Sequence, residues 1–341
     1  MRRLAKDERR PRSSALIPGA VYVAAVMKQE RPYIIEWVAW YRLLGFEIMI
    51  ADNGGSDGQT ELLRRLDDAG LISYLDVRHF RRAPQTLAYY AMFRRALRAG
   101  VTYLGFLDAD EFFEPLGARI EQGAGAVLIR RRFDTTNASV LAFNWMSFGS
   151  SNLREAGPEP VLQRFVHSAP QEFLPNLHFK SFCDVKRCAQ SLGRGAFGRL
   201  VLNAHGVITA ASRYSHDGSE MEFDPDRFGL TQRVSWRNAR IRHYAVKSLS
   251  EYRGIKAVRG SAAITREYYA NYFAHLDRNE IHTPMDSGAL SLLSDKMREI
   301  ENQLSEAQSH PRAGRGFLEA ARVSWEARPP LRLVLRKLRV R

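Results

Sequence analysis

The chain has 341 residues, 45% of them hydrophobic, with 18 Phe, 13 Tyr and 5 Trp, which suits one large globular domain or two smaller ones. The formal net charge is +14, but residues 1–12 carry +4 and residues 311–341 carry +7, which leaves +3 for everything between. Such a nearly neutral body argues against a nucleic-acid-binding protein.

The compartment can be inferred from what the sequence lacks. Cys183 and Cys188 are the only cysteines, so there is no disulfide framework and a reducing cytoplasm is the natural setting. The basic start is not followed by the apolar segment of a secretory signal. No apolar run reaches the roughly 18 residues of a membrane span. We therefore expect a cytoplasmic protein.

The first part of the chain alternates between two kinds of segment. Residues 1–18 are polar and basic, and we expect a disordered arm there. Beyond them, short apolar runs typical of buried strands alternate with segments of helical spacing. The predicted strands are AVYVAAVM, FEIMIAD, LISYLDVRHF and VTYLGFLD, and the helices between them are RPYIIEWVAWYRLLG, QTELLRRLDDAG and QTLAYYAMFRRALRAG. This order predicts an α/β fold, with a mostly parallel central sheet flanked by helices.

After Pro115 the alternation is less regular. The segments GAVLIRRRF, SVLAFNWMSFG, LHFKSFCDVKR and GRLVLNAHGVITA are predicted as further strands. A helix with spaced Lys and Arg follows, and residues 286–308 form an amphipathic helix. We divide the chain into the arm, a domain over 19–262, and a helical C-terminal extension with a basic tail over 263–341.

Acidic residues follow two of the predicted strands. Asp108 and Asp110 lie in FLDADEFF, and Asp52 precedes the glycine-rich turn of ADNGGSDG. Ligands of parallel sheets bind beyond the carboxyl ends of the strands. There Asp108 and Asp110 could bind Mg²⁺ or Mn²⁺ together with substrate phosphates, and Asp52 could accept hydrogen bonds from a ribose or base. Taken alone, each motif is equally compatible with a solvated or tight turn.

A basic segment near the end of the predicted domain could bind the phosphates. In HYAVKSLSEYRGIKAVRG, Lys247, Lys256 and Arg259 are spaced along one stretch that begins with His243 and Tyr244. Cations so spaced suit a diphosphate, and the alternative is a solvated helix face.

The ordered set of motifs resembles a known family. The segment VMKQERPYIIEWVAWYRLLGFEIMIADNGGSDGQTELLRRL, followed by QTLAYYAMFRRAL and YLGFLDADEFF, resembles the GT-A glycosyltransferases, in particular the family 2-like group related to family 92. NWMSFGS, FKSF, NAHG and HYAVKSLSEYRGIKAVRG extend the resemblance, which covers roughly residues 20–262. Tyr41 departs from the family, which usually has His after this Glu-Trp helix, and Gly54 occupies a variable position of the turn.

The resemblance implies a role for individual residues. It implies that the nucleotide sugar is bound by Asp52, Asn53, Asp108, Lys247 and Arg259, and that Mn²⁺ or Mg²⁺ is bound by Asp108, Asp110 and His205. The implied reaction is metal-dependent transfer, with inversion, from a UDP- or GDP-linked donor to a hydroxyl of a glycan or lipid-linked acceptor. The catalytic base stays open among Asp134, Glu155, Asp184 and Asp217.

Two other functions and one surface stay open. The rivals are a nucleic-acid-binding protein or metal-dependent nuclease built on the acidic cluster, and an inactive nucleotide-sugar-binding scaffold. In the tail RPPLRLVLRKLRVR, leucines are interleaved with cations. That pattern suits an interfacial segment on anionic lipid at the inner face of the membrane, or else a solvated basic tail or a helix packed on its own domain.

Overall fold

The structure is a computed structural model, and it describes residues 16–80, 84–117, 119–191, 202–203, 206–207, 213–221, 229–259 and 266–309. The predicted disordered arm therefore lies almost wholly outside the described residues, and the basic tail lies entirely outside them. Leu16, at the start of the described chain, is buried.

The secondary structure follows the predicted strand and helix alternation as far as the acidic cluster. The strands are β1 (Val21–Met27), β2 (Glu47–Asp52), β3 (Ser73–Asp76), β4 (Tyr103–Phe106), β5 (Glu111–Pro115), β6 (Val140–Ser147), β7 (His167–Ser168), β8 (Phe179–Asp184), β9 (Leu202–Asn203), β10 (Gly206–Val207), β11 (Tyr214–His216), β12 (Ser219–Met221), β13 (Ala239–His243) and β14 (Ile281–His282). The α-helices are α1 (Arg31–Leu43), α2 (Gln59–Asp68), α3 (Pro84–Ala99), α4 (Ala124–Thr135), α5 (Val161–Arg164), α6 (Val185–Ser191), α7 (Leu249–Glu251), α8 (Ala257–Arg259), α9 (Arg266–Leu276) and α10 (Ser287–Ser309). A 3-10 turn covers Leu174–Leu177, and a π-helical turn covers Tyr252–Lys256.

The central sheet has ten strands in the part of the chain that the structure describes. Eight of them lie in the order β12-β11-β6-β8-β4-β1-β2-β3, and β13 pairs with both β6 and β5. The first four strands along the chain pair in parallel through β1–β2, β1–β4 and β2–β3, whereas β8 runs antiparallel between β4 and β6. The predicted α/β fold, with a mostly parallel sheet, flanking helices and a C-terminal helix, is confirmed.

One predicted strand is wrong, and another, GRLVLNAHGVITA, lies mostly outside the described residues, which show only the short antiparallel pair β9 and β10 there. GAVLIRRRF lies in α4, because its buried residues Gly125, Ile129 and Phe133 recur every four positions and form one face of a helix. Val127, which a strand pattern would place with them, is 64% exposed. The predicted strands SVLAFNWMSFG and LHFKSFCDVKR are confirmed as β6 and β8.

Both faces of the sheet are covered, which explains why its strands are apolar throughout. Along β1, Val21 and Val23 point into one core, whereas Tyr22 and Ala24 point into the other. α1 and α10 pack on the first face and α3 packs on the second. Cys183 and Cys188 are buried in the second core and form no disulfide bond.

The predicted C-terminal helix is confirmed as α10 and is part of the first core. Ala289, Leu293, Ile300 and Leu304 are buried at spacings of four and seven residues, which gives α10 one apolar face. That face packs beside α1. Among the described helices, none combines the length and the apolar character needed to cross a membrane.

Candidate functional site

The acidic turn lies at the carboxyl end of β4, beside the end of β13. After the turn, β5 runs antiparallel to β13, with His243 opposite Glu111. The backbone N–H of Tyr244 donates to the carbonyl of Asp110 at 2.8 Å. This register brings the basic segment that follows β13 against the acidic turn. Both lie at the carboxyl end of β4, the end of a strand at which ligands of parallel sheets bind.

Helix α1 fixes the acidic turn from beneath through its aromatic side chains. Three of these donate to backbone carbonyls of the turn and of β5, which follows it. Trp37 Nε1 donates to Asp108 (3.1 Å), Trp40 Nε1 to Phe113 (2.8 Å) and the Tyr41 hydroxyl to Glu111 (3.0 Å). The Tyr41 hydroxyl also accepts the N–H of Phe113 at 3.0 Å. The buried Tyr41 hydroxyl therefore links two backbone groups, the carbonyl of Glu111 and the N–H of Phe113.

The carboxylate of Asp108 is held by three side chains. Lys180 Nζ is 2.7 Å from Oδ2, while Gln85 Nε2 and the Tyr89 hydroxyl donate to Oδ1 at 3.0 and 3.2 Å. The Asp108 side chain is 30% exposed, so one part of it faces solvent. Asp108 is thus an oriented acceptor at the rim of the turn.

Asp110 lies deeper and is surrounded by nitrogen groups. Lys256 Nζ is 2.8 Å from Oδ2, and His243 Nε2 is 3.9 Å from Oδ1. Burial alone would raise the pKa of this carboxyl, but Lys256, His243 and Lys247 outweigh it and hold the pKa well below its usual range. Asp110 is therefore ionised at neutral pH.

Lys247 combines backbone strain with a buried charge. Its φ of 55° lies in the left-handed region, which a lysine rarely adopts. Its ammonium lies 4.2 Å from the centre of the Tyr33 ring, and it makes no hydrogen bond or ion pair with the residues that the structure describes. Burial lowers the pKa of Lys247 to about 8. Together with Asp110 and Lys256 it lines a small recess.

Asp52, predicted to contact the nucleotide, is fully buried at the end of β2. Its carboxylate accepts four hydrogen bonds within the protein: from Gln59 Nε2 (2.7 Å), Thr60 Oγ1 (2.7 Å), the Tyr74 hydroxyl (3.1 Å) and the N–H of Gly54 (2.9 Å). These bonds use the acceptor capacity of the carboxylate. In this geometry Asp52 orders the glycine-rich turn, and the half-buried Asn53 beside it is the nearer of the two to solvent.

The four candidate bases are dispersed over the fold. Asp134 and Asp184 lie near Tyr103, at the opposite end of β4 from the acidic turn. Asp217 pairs with Arg233 at 3.1 Å in a separate cleft. Glu155 lies nearer the site, because its neighbours Arg154 and Ala156 bind the backbone and side chain of Ser250 (2.9 and 3.0 Å). His205 and the side chain of Arg259 lie outside what the structure describes.

Lys180 and Glu111 are parts of the site that the sequence reasoning did not assign. Lys180 lies in FKSF, one of the segments that carry the resemblance, and its contact with Asp108 spans 72 positions. The signal available was a lysine between the phenylalanines of a predicted strand, which has to find an acidic partner if it is buried. His243 and Lys256 lie within the predicted basic segment, but the sequence did not predict that both contact Asp110.

Asp110 and its neighbour His243 could contribute ligands to a divalent cation. Asp108 and Asp110, both predicted cation ligands, contact Lys180 and Lys256 respectively, and no three metal-ligating side chains converge within the described ranges. Mg²⁺ needs only one or two carboxylates when substrate phosphates share its coordination. Burial lowers the pKa of His243 to about 3, which keeps its imidazole neutral and able to bind metal. Asp110 and His243 could therefore supply at most two protein ligands, and the metal site stays a prediction.

Comparisons with known proteins give distant likenesses. The structure of S. aureus TarS residues 1–349 in complex with UDP is 12% identical, covers 75% of this chain and 70% of its own, and has a TM-score of 0.34. A putative glucose-1-phosphate thymidylyltransferase from Bacillus anthracis, in complex with a sucrose, is 11% identical, covers 59% and 88%, and has a TM-score of 0.32. No protein-family model and no curated protein matches the chain.

Proposed function

We propose that the protein is a GT-A-type, family 2-like glycosyltransferase that uses a UDP- or GDP-linked sugar. The observation that carries this proposal is Lys247. Its backbone is strained, and its ammonium lacks a hydrogen-bond partner among the described residues. It faces the same recess as Asp110 and Lys256. A cation kept so at the ligand-binding edge of a parallel sheet suits a diphosphate.

The roles of the residues follow from their charges. Lys247 and Lys256 would bind the diphosphate as negative charge develops on it, which favours departure of the nucleotide. Asp110, with His243 beside it, would hold Mn²⁺ or Mg²⁺, and the cation would neutralise part of that charge. Asp108, at the more exposed rim, would accept a hydrogen bond from a ribose hydroxyl.

The acceptor would be a hydroxyl of a glycan or of a lipid-linked saccharide. A carboxylate would take the proton of that hydroxyl. The hydroxyl oxygen would attack the anomeric carbon as the nucleoside diphosphate leaves, which inverts the configuration. Of the four predicted bases, Glu155 is favoured by its loop, which hydrogen bonds to Ser250 beside Glu251 on the wall of the recess.

The test compares nucleotide binding by the wild type with nucleotide binding by Asp110→Asn. UDP or GDP with Mn²⁺ should raise the melting temperature of the wild type and leave that of Asp110→Asn unchanged, because the variant lacks the anionic oxygen that a cation requires. Asp68→Asn is the matched control, since Asp68 is exposed at the end of α2 and has no role in the proposed site. If no nucleotide stabilises the wild type, or if Asp110→Asn responds equally, the proposal is wrong.

The same preparation separates the rival functions. Nucleotide binding without release of nucleoside diphosphate, in the presence of candidate acceptors, would indicate an inactive nucleotide-sugar-binding scaffold. Salt-sensitive binding to DNA or RNA without nucleotide-diphosphate binding would indicate the nucleic-acid-binding alternative.

A further inference from the structure

We propose that Lys180 is a positioning residue, which fixes the carboxylate of Asp108 so that it can accept a hydrogen bond from a hydroxyl group of the ligand. The inference rests on the proposed nucleotide-sugar site, and it assigns a role to a residue that does not itself touch the ligand.

Lys180 is buried in the middle of the sheet. It lies on β8, between β4 and β6, and its side chain is 1% exposed. A buried ammonium is costly unless carboxylates compensate it. Its Nζ is 2.7 Å from Asp108 Oδ2 and 3.1 Å from Glu111 Oε2. Lys180 therefore ties the rim carboxylate to a second carboxylate inside the protein.

Glu111 is the internal anchor of this arrangement. It is fully buried, so it cannot reach a ligand. Its Oε2 accepts the backbone N–H of Asp108 at 2.8 Å, and Oε1 has no hydrogen-bond partner in the described structure. Glu111 thus fixes both the backbone of Asp108 and the ammonium that holds the Asp108 side chain.

The contacts leave Asp108 with an acceptor site to spare. An ionised carboxylate has about four lone-pair sites. Gln85 and Tyr89 occupy Oδ1 and Lys180 binds Oδ2, so the contacts in the structure use three of the sites. With the side chain 30% exposed, the remaining site on Oδ2 is open to a hydroxyl donor, and Lys180 sets its direction.

The first experiment compares nucleotide binding by Lys180→Met and by a matched control, Lys186→Met, whose lysine is exposed on α6. Titrations use UDP, GDP and their 2′,3′-dideoxy counterparts. We expect Lys180→Met to bind the ribonucleotide about tenfold more weakly, the loss typical of one hydrogen bond to a charged group. The dideoxy compound should lose less, so the ratio of the two affinities should approach one.

A double variant separates positioning from folding. Lys180→Met leaves Glu111 buried without its cation, which can lower stability by itself. Lys180→Met/Glu111→Gln removes the ammonium together with the carboxyl group that it contacts, and its melting temperature should recover toward that of the wild type. If Lys180 positions Asp108, the ribose to dideoxyribose affinity ratio should stay low in the double variant.

The outcomes distinguish the two proposals. If the wild type binds neither nucleotide, both the proposed function and the positioning role are overturned. If the wild type binds but the affinity ratio is unchanged in Lys180→Met, only the positioning role is overturned. The same holds if the double variant regains both the stability and the affinity ratio of the wild type. A low ratio in a folded double variant supports it.

Discussion

Lys247 illustrates how a single residue can be costly for the fold and useful for the ligand. Its left-handed backbone and buried ammonium both oppose folding. We expect Lys247→Met to raise the free energy of unfolding, on the order of 1 kcal/mol, because the methionine side chain carries no charge to be buried at this position. The same variant should bind nucleoside diphosphate about tenfold more weakly or worse, because a charge-assisted contact is lost. Urea unfolding and calorimetric titration measure the two effects.

The control for Lys247 is a lysine that the recess does not involve. Lys186→Met should leave both the free energy of unfolding and the nucleotide affinity unchanged, since Lys186 is exposed on α6. A Lys247→Met protein that is less stable yet binds nucleotide normally would show that Lys247 serves the fold alone.

At the scale of elements, Glu36 connects α1 to the start of α5. Its carboxylate accepts the N–H groups of Val161 at 2.7 Å and Leu162 at 2.9 Å. Burial raises the pKa of Glu36 from 4.5 to about 7, although these two hydrogen bonds oppose the shift. Between these pH values the folded protein keeps a proton that the unfolded chain has lost. The stability that Glu36 contributes is therefore fully present below pH 4.5 and is lost as the pH rises through about 7.

The matching variant is Glu36→Gln, which cannot ionise. Across that pH window the free energy of unfolding of the wild type should fall relative to the variant, by about 1 to 3 kcal/mol in total. Urea unfolding of both proteins at each pH gives the difference, in which the other titrating groups cancel. Parallel pH profiles would contradict the prediction.

The elements also show what the sequence can and cannot predict. β1 to β4 and the helices between them were predictable, because each has its own local periodicity and both faces of the sheet are covered. α4 was not, because a short apolar run satisfies strand and helix patterns alike. The pairing of Lys180 with Asp108 depends on the register of β8 against β4, which no local pattern specifies. The four internal hydrogen bonds of Asp52 are likewise invisible in a linear pattern, and its contact with the nucleotide stays a prediction.

At the scale of the whole molecule, the packed core and most of the excess positive charge belong to different parts of the sequence. The described core is closed by α10, whose buried residues join the same cluster as α1. Residues 311–341 carry +7 and lie beyond that helix, outside the described part of the chain. A stable body with a cationic end is suited to electrostatic association with an anionic surface. The acceptor is expected to be a lipid-linked or other glycan, so a membrane surface is the relevant one to test.

The final prediction concerns the last thirteen residues, 329–341, which contain five cations and no acid. Each basic residue near an anionic membrane contributes about 1 kcal/mol, so deleting the segment should abolish most binding to vesicles that contain phosphatidylserine. Replacing its four leucines by serine keeps the charge and removes the apolar contribution. If that variant binds as weakly as the deletion, the segment inserts at the interface, whereas binding that is retained and abolished by salt indicates electrostatics alone. Vesicle binding unchanged by the deletion would mean that the tail is solvated or packed on its own domain.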